Sequence, residues 1–133
     1  MLNRINDLLN SGKDFSFETT LATKTFVHTI SKARLKGYFV TLIFIWLDSP
    51  ELAKDRVKKR VAEGGHSIDP EVIERRYRNG IKNLFSVYSN KVDSIMVYDN
   101  SGIESELICE KEFHNDFLIH NPKKFGLLKS GSL

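Results

Sequence analysis

Apolar residues follow two different periods along this chain, and the points where the period switches lay out its elements. Leu2, Ile5, Leu8 and Leu9 recur every three or four positions with Gly12 behind them, predicting a short opening helix. Phe15 and Phe17 alternate with Ser16, the period of a strand, and this strand would deliver Glu18, Thr19 and Thr20 at its carboxyl end. Between Lys24 and Lys36 the spacing of Phe26, Val27, Ile30, Ala33 and Leu35 is helical again and stops at Gly37. Phe39 to Leu47 is then almost continuously apolar, as expected of a strand covered on both faces in a parallel sheet.

Two helix starts share one punctuation. In Ser49-Pro50-Glu51 the serine caps, the proline suits the first helical position and the acid complements the helix dipole; Gly64 and Gly65 end that helix. Asp69-Pro70-Glu71 opens a longer helix with the stripe Ile73, Tyr77, Ile81, Leu84 and Tyr88. Ser94 to Tyr98 predicts a further strand, closed by the turn Asp99-Asn100-Ser101-Gly102. Leu107 to Ile119 fits a short strand pair, Asn121-Pro122 starts a final helix through Leu128, and Ser130 to Leu133 reads as a loose tail. The alternation predicts one α/β domain with parallel strands flanked by helices, and no repeat or linker divides it.

Composition narrows the class. With 41% hydrophobic and 28% charged residues, 133 residues suffice to bury a core, which argues against disorder. The net charge of +3 favours a nucleic-acid partner only if concentrated on one face. Cys109 is the single cysteine, so no internal disulfide forms and a reducing, cytoplasmic setting is expected; without a motif around it, it reads as a small buried hydrophobe. Met1 to Asn10 carries Arg4 and Asp7 and lacks the apolar core of a secretory signal. The apolar run Tyr38 to Leu47 falls short of the roughly 20 residues that span a membrane. His28, His66, His114 and His120 are too scattered for a zinc site.

Four places carry candidate chemistry. Glu18 and Thr20 offer a carboxylate and a hydroxyl that can orient an alcohol or sugar, although Thr19 or Thr20 as a simple helix cap is an equal reading. Arg56 and Arg60 lie one helical turn apart, and Arg75 and Arg76 enter the next helix, so a folded-over helix pair can gather guanidinium groups at one point. Interspersed acids such as Asp55, Glu63, Glu71 and Glu74 favour the plainer reading of a solvated face. His66, beside two glycines, reads as a loop residue, and Asn100, Ser101 and Gly102 form an ordinary polar turn. Gly12-Lys13 is no phosphate loop, since it follows a helix and has no glycine five positions before it.

Taken together, FSFETT (15–20), LDSPELAKDRVKKRVAEGGHSI (47–68), IERRYRNGIKNL (73–84) and YDNSG (98–102) resemble the second half of a zeta-toxin-like P-loop kinase. The resemblance runs in order over about residues 1 to 125 and implies an incomplete P-loop NTPase fold with a helical lid over 48–90. It implies Glu18 and Thr20 as the substrate-binding E-x-T, Arg60 and Arg76 as catalytic arginines on the transferred phosphoryl group, and Asn100, Ser101 and Gly102 beside the nucleotide base. It further implies Mg-ATP as cofactor, a small hydroxyl-bearing substrate such as a nucleotide-activated amino sugar, and an antitoxin partner.

The resemblance also implies parts absent from these residues: a first strand, the G-x-x-x-x-G-K-[S/T] loop that cradles the phosphates, and a catalytic aspartate. The expectation is an N-terminally truncated domain that neither binds Mg-ATP nor transfers phosphate alone. The missing strand would lie between the strand ending at Glu18 and Phe39 to Leu47, leaving open edges that favour self-association or a complementing N-terminal segment. Two other functions stay open: a non-catalytic protein binding an antitoxin or nucleotide sugar, and a nucleic-acid binder using the 54–78 helix pair.

Overall fold

The computed structural model describes residues 2–132; Met1, at the head of the expected first helix, and Leu133, in the expected loose tail, lie outside them. In chain order come α1 (Leu2–Ser11), α2 (Val27–Leu35), β1 (Thr41–Trp46), α3 (Pro50–Ala62), α4 (Pro70–Asn83), a π-helical turn (Leu84–Tyr88), β2 (Ser94–Asp99), β3 (Glu106–Glu112), β4 (Leu118–Ile119) and α5 (Pro122–Ser130). The helix starts follow their local chemistry. The Ser49 hydroxyl accepts from Leu52 N at 3.1 Å and the Asn121 side chain accepts from Lys124 N at 3.1 Å, each ahead of a proline in the first turn. Ser130 to Ser132 is not loose: Ser130 ends α5, and Gly131 N and Ser132 N still donate to carbonyls of its last turn.

The sheet is mixed, in the order β1-β2-β3-β4, which corrects the expectation of parallel strands. β1 and β2 run parallel from Thr41↔Ser94 to Trp46↔Asp99, whereas β2–β3 and β3–β4 are antiparallel. The reason is the length of the connections. Forty-seven residues separate Trp46 from Ser94 and hold two helices, enough for a parallel crossover, but Asn100 to Ser105 is too short for anything except a hairpin. Between Val97 and Tyr98 the pairing skips one residue of β3, so Ile108 bulges and Ile108 and Cys109 are both fully buried despite being consecutive. Burial pushes the Cys109 thiol up to about 12.

A second correction concerns Phe15 to Thr20. This stretch forms no strand, because among the described residues no ladder partner lies beside it and an unpaired strand leaves its backbone groups unsatisfied. Phe17 instead stacks on Phe26 with ring centroids 4.8 Å apart, and Phe15 meets Tyr38 edge to face.

The principal core joins β1 to β3 with α4, the π-helical turn and α5 through Trp46, Ile81, Leu84, Tyr88, Val92, Ile95, Val97, Ile108, Cys109 and Leu128. A smaller cluster of Ile5, Leu9 and Ala33 docks α1 on α2. Asp93 fastens α2 to the start of the sheet, accepting from Val40 N at 2.7 Å and from Arg34 Nε at 3.1 Å.

β1 is an edge strand among the described residues, and it is an apolar one. Ile43 and Ile45 are 53% and 54% exposed and Phe39 is 71% exposed, beside a row of free backbone groups. Such an edge recruits other strands, so sedimentation velocity at rising concentration is expected to show self-association. The double substitution Ile43→Lys/Ile45→Lys is expected to return a monomer, since charge on an edge blocks pairing.

Candidate functional site

The free edge of β1 forms one wall of an open trough of about 880 Å³. The irregular segment Phe15 to Leu21 forms another, and Arg60 from α3 and Arg76 from α4 also line it. Glu18, Thr20, Arg60 and Arg76 come from three separate stretches of chain and meet in this one cavity. Among the described residues none of Glu18, Arg60 and Arg76 belongs to an ion pair. The walls are largely apolar, so a ligand here would meet a few charges in an otherwise hydrophobic setting.

Each wall is held by identifiable contacts. Helices α3 and α4 fold into a hairpin: α3 contributes no buried residue, whereas Ile73, Gly80, Ile81 and Asn83 of α4 are buried. Glu74 bridges the pair, accepting from Lys54 Nζ and Arg78 Nη2, both at 2.9 Å. The Lys54 hydrogen bond foremost, then Arg78, holds its carboxyl below the usual value. The connection needs glycine. Gly64 has φ of 101°, and Gly65 N donates to Arg60 O at 2.8 Å, a packing in which a Cβ at 65 would stand 2.9 Å from that oxygen. Trp46 Nε1 is buried and has no acceptor among the described residues. Tyr77, nearby, donates to Leu47 O at 2.6 Å, and burial raises its pKa.

Segment 18–23 is set from below. Leu21 takes the left-handed conformation with φ of 61° while 5% exposed, and its carbonyl accepts from Asn83 Nδ2 at 2.9 Å. Thr19 Oγ1 accepts from Leu21 N and Thr20 Oγ1 from Ala22 N, so both hydroxyls shape a turn ahead of α2. The Tyr88 hydroxyl donates to Thr23 O at 2.7 Å. Sequence reading places Asn83 and Gly80 only as helix positions. The visible signal is their polarity and smallness on the buried side of a helix whose other inward residues are Ile73, Tyr77, Ile81 and Leu84.

Asn100, Ser101 and Gly102 do not line the trough. They follow the carboxyl end of β2, where Asn100 N donates to Trp46 O at 2.8 Å and Ser101 Oγ accepts from Asp48 N at 2.9 Å. Arg56 reaches this loop instead of the trough, donating to Ser101 O at 3.2 Å. The loop is moored to α5 through Asp99, a 4% exposed carboxylate within 2.7 Å of Lys124 Nζ, which also holds Glu106 at 2.7 Å. Burial alone would raise the Asp99 pKa, but hydrogen bonds from Lys124 and Ser101 outweigh it and leave the carboxyl below its ordinary value of 3.8.

A carboxyl whose folded pKa is depressed adds stability above its unfolded pKa, and this is lost as pH falls through the folded value. Acid unfolding is therefore expected below the ordinary carboxylate range, followed by fluorescence of Trp46, the only tryptophan. In Lys124→Met burial of Asp99 goes unopposed by its cation, and the midpoint is expected to move to higher pH.

A family model described as Zeta toxin matches residues 3–108, most of the chain. The chain belongs to the zeta toxin family. A relative from Haemophilus influenzae, described as an uncharacterized protein, is 32% identical over 63 residues, which are 47% of this chain and 45% of that protein. The match thus spans less than half the length of that curated relative. No solved structure matches. The zeta toxin family is kinase-like, with a P-loop-related fold; in this chain the sheet is mixed. Among the described residues no helix is long and apolar enough to cross a membrane.

Proposed function

We propose that this zeta-toxin domain is the substrate-holding part of a small-molecule phosphotransferase, and that its trough takes a nucleotide-activated amino sugar. The observation that carries this reading is the convergence of Glu18, Thr20, Arg60 and Arg76 on one cavity. Glu18 and Thr20 orient the acceptor hydroxyl, as a carboxylate and a hydroxyl do by accepting and donating hydrogen bonds. Arg60 and Arg76, paired with no carboxylate among the described residues, offer the planar fork that binds phosphate oxygens in pairs. The α3 helix serves as a lid in this reading: it carries Arg60, buries none of its residues and joins α4 through Gly64-Gly65.

The residues present do not fit Mg-ATP. The 133 residues contain no G-x-x-x-x-G-K-[S/T], and among the described residues no three His, Cys, Asp or Glu side chains are grouped to hold a metal ion. In this reading the phosphate loop arrives on a further segment that pairs with the free edge of β1, while the Asn100 to Gly102 loop borders the nucleotide base. A second reading, a non-catalytic binding protein, gains support from the exposed Ile43 and Ile45 on that edge.

Calorimetric titration separates the two. The chain is titrated with UDP-N-acetylglucosamine and with Mg-ATP, alone and mixed with a domain bearing an upstream phosphate loop. Sugar nucleotide binding by the chain alone, with Mg-ATP binding only in the mixture, is the expected result. Sugar nucleotide binding with Mg-ATP ignored in both leaves the binding-protein reading. Absence of sugar nucleotide binding throughout would sink the proposal.

A further inference from the structure

Three unusual local features of this fold meet at one place. Leu21 is one of two non-glycine residues with positive φ among the described residues, a conformation that bulky side chains adopt only when their surroundings impose it. Gly80 lies so close to the preceding residue that an added Cβ would stand 2.9 Å from Thr20 O. The helix below them changes pitch at Leu84–Tyr88 into a π-helical turn. The i→i+5 hydrogen bonding of that turn hangs the Tyr88 backbone under Asn83, closer to its face of the helix than an α-helical pitch, which would carry it about 140° around the axis. Gly80, Asn83 and Tyr88 thereby face the carbonyls of Thr20, Leu21 and Thr23 within one four-residue stretch, with hydrogen bonds of 2.9 Å from Asn83 and 2.7 Å from Tyr88.

Resting on the substrate-holding reading above, we propose that Gly80, Asn83 and Tyr88 are positioning residues that aim Glu18 and Thr20 into the trough. The segment has no ladder of its own to fix it, since Phe15 to Thr20 pairs with no strand. Its direction is imposed by the helix: Gly80 sets how near the backbone comes, Asn83 holds Leu21 in its strained turn, and Tyr88 pins the exit at Thr23. The helix that carries Arg76 therefore also places the carboxylate and hydroxyl facing it, so the two sides of the trough keep register as one unit.

The test compares Asn83→Leu, which removes the donor at nearly constant shape, and Gly80→Ala with the wild-type chain and with Ile108→Val, a core change in the β3 bulge outside the trough lining. Affinity for UDP-N-acetylglucosamine is measured below every melting temperature, and amide chemical shifts of residues 18–23 are recorded without ligand. Both variants are expected to bind about tenfold more weakly. The amide shifts of Glu18 and Thr20 are expected to move, and Ile108→Val is expected to match wild type in both readouts. If either variant fails to fold, Tyr88→Phe keeps the buried ring and carries the same comparison. Unchanged shifts at 18–20, with affinity equal to that of Ile108→Val, would overturn the inference. Should wild type not bind the sugar nucleotide, the functional reading falls, and the positioning claim is decided by the amide shifts alone.

Discussion

Tyr88→Ala is expected to destabilise the domain by about 3–5 kcal/mol, the range for deleting a buried aromatic ring. Tyr88 is fully buried among Leu21, Ile81, Leu84, Val92 and Ile95, so truncation removes apolar contact from the centre of the main core. It also strands the Thr23 carbonyl, which accepts the Tyr88 proton at 2.7 Å. Against the 5–15 kcal/mol typical of whole domains, this loss lowers the melting temperature by about 10–20 °C. The two contributions separate experimentally. Tyr88→Phe keeps the ring and loses the hydrogen bond, for about 1–2 kcal/mol, whereas Tyr98→Phe gives up only a contact to the Met96 sulfur at 3.8 Å and leaves stability unchanged. Urea unfolding followed by far-ultraviolet circular dichroism checks all three. A Tyr88→Ala protein as stable as wild type would show that the π-helical turn does not anchor the core.

The second large effect is on binding. Arg60→Ala/Arg76→Ala is expected to weaken UDP-N-acetylglucosamine binding by about 10²–10³-fold, since each charge-assisted hydrogen bond contributes about 1.5–3 kcal/mol and neighbouring charges do not add fully. Stability should hold, because neither guanidinium pairs with a carboxylate among the described residues. Arg56→Ala provides the contrast. Arg56 bonds Ser101 O outside the trough, so its loss leaves sugar nucleotide affinity near wild type. Calorimetry on the three proteins, with equal melting temperatures as a precondition, decides the matter. Equal affinity in the double variant and wild type would remove the arginines from the site.

What the sequence reveals and what it hides divide along physical lines. Helix starts are legible because a cap and a proline act within adjacent residues: Ser49-Pro50, with Glu51 behind it, and Asn121-Pro122 begin helices as written. The stripe Ile73, Tyr77, Ile81, Leu84, Tyr88 is legible too, although a π-helical turn lies inside it, because each residue still faces inward. Strand direction is not contained in apolar periodicity. It depends on connection length, and the hairpin over Asn100 to Ser105 was readable from its brevity. The Phe15-Ser16-Phe17 alternation misleads because period 2 marks an extended chain, while a strand also needs a neighbour to bond with. Within the site, Glu18, Thr20, Arg60 and Arg76 are readable as motif residues. The residues that aim them act through backbone carbonyls, which have no letter in the sequence.

Cys109 gives this chain an internal clock. A fully buried thiol that ionises only near 12 in the folded state is silent toward alkylating reagents until the sheet around β3 comes apart, whereupon it becomes an ordinary cysteine. With one such atom per molecule, the rate of thiol capture at saturating reagent counts opening events directly, with no engineered label. Ligand or partner strand seated in the trough would be read at the far side of the sheet as a slower capture rate.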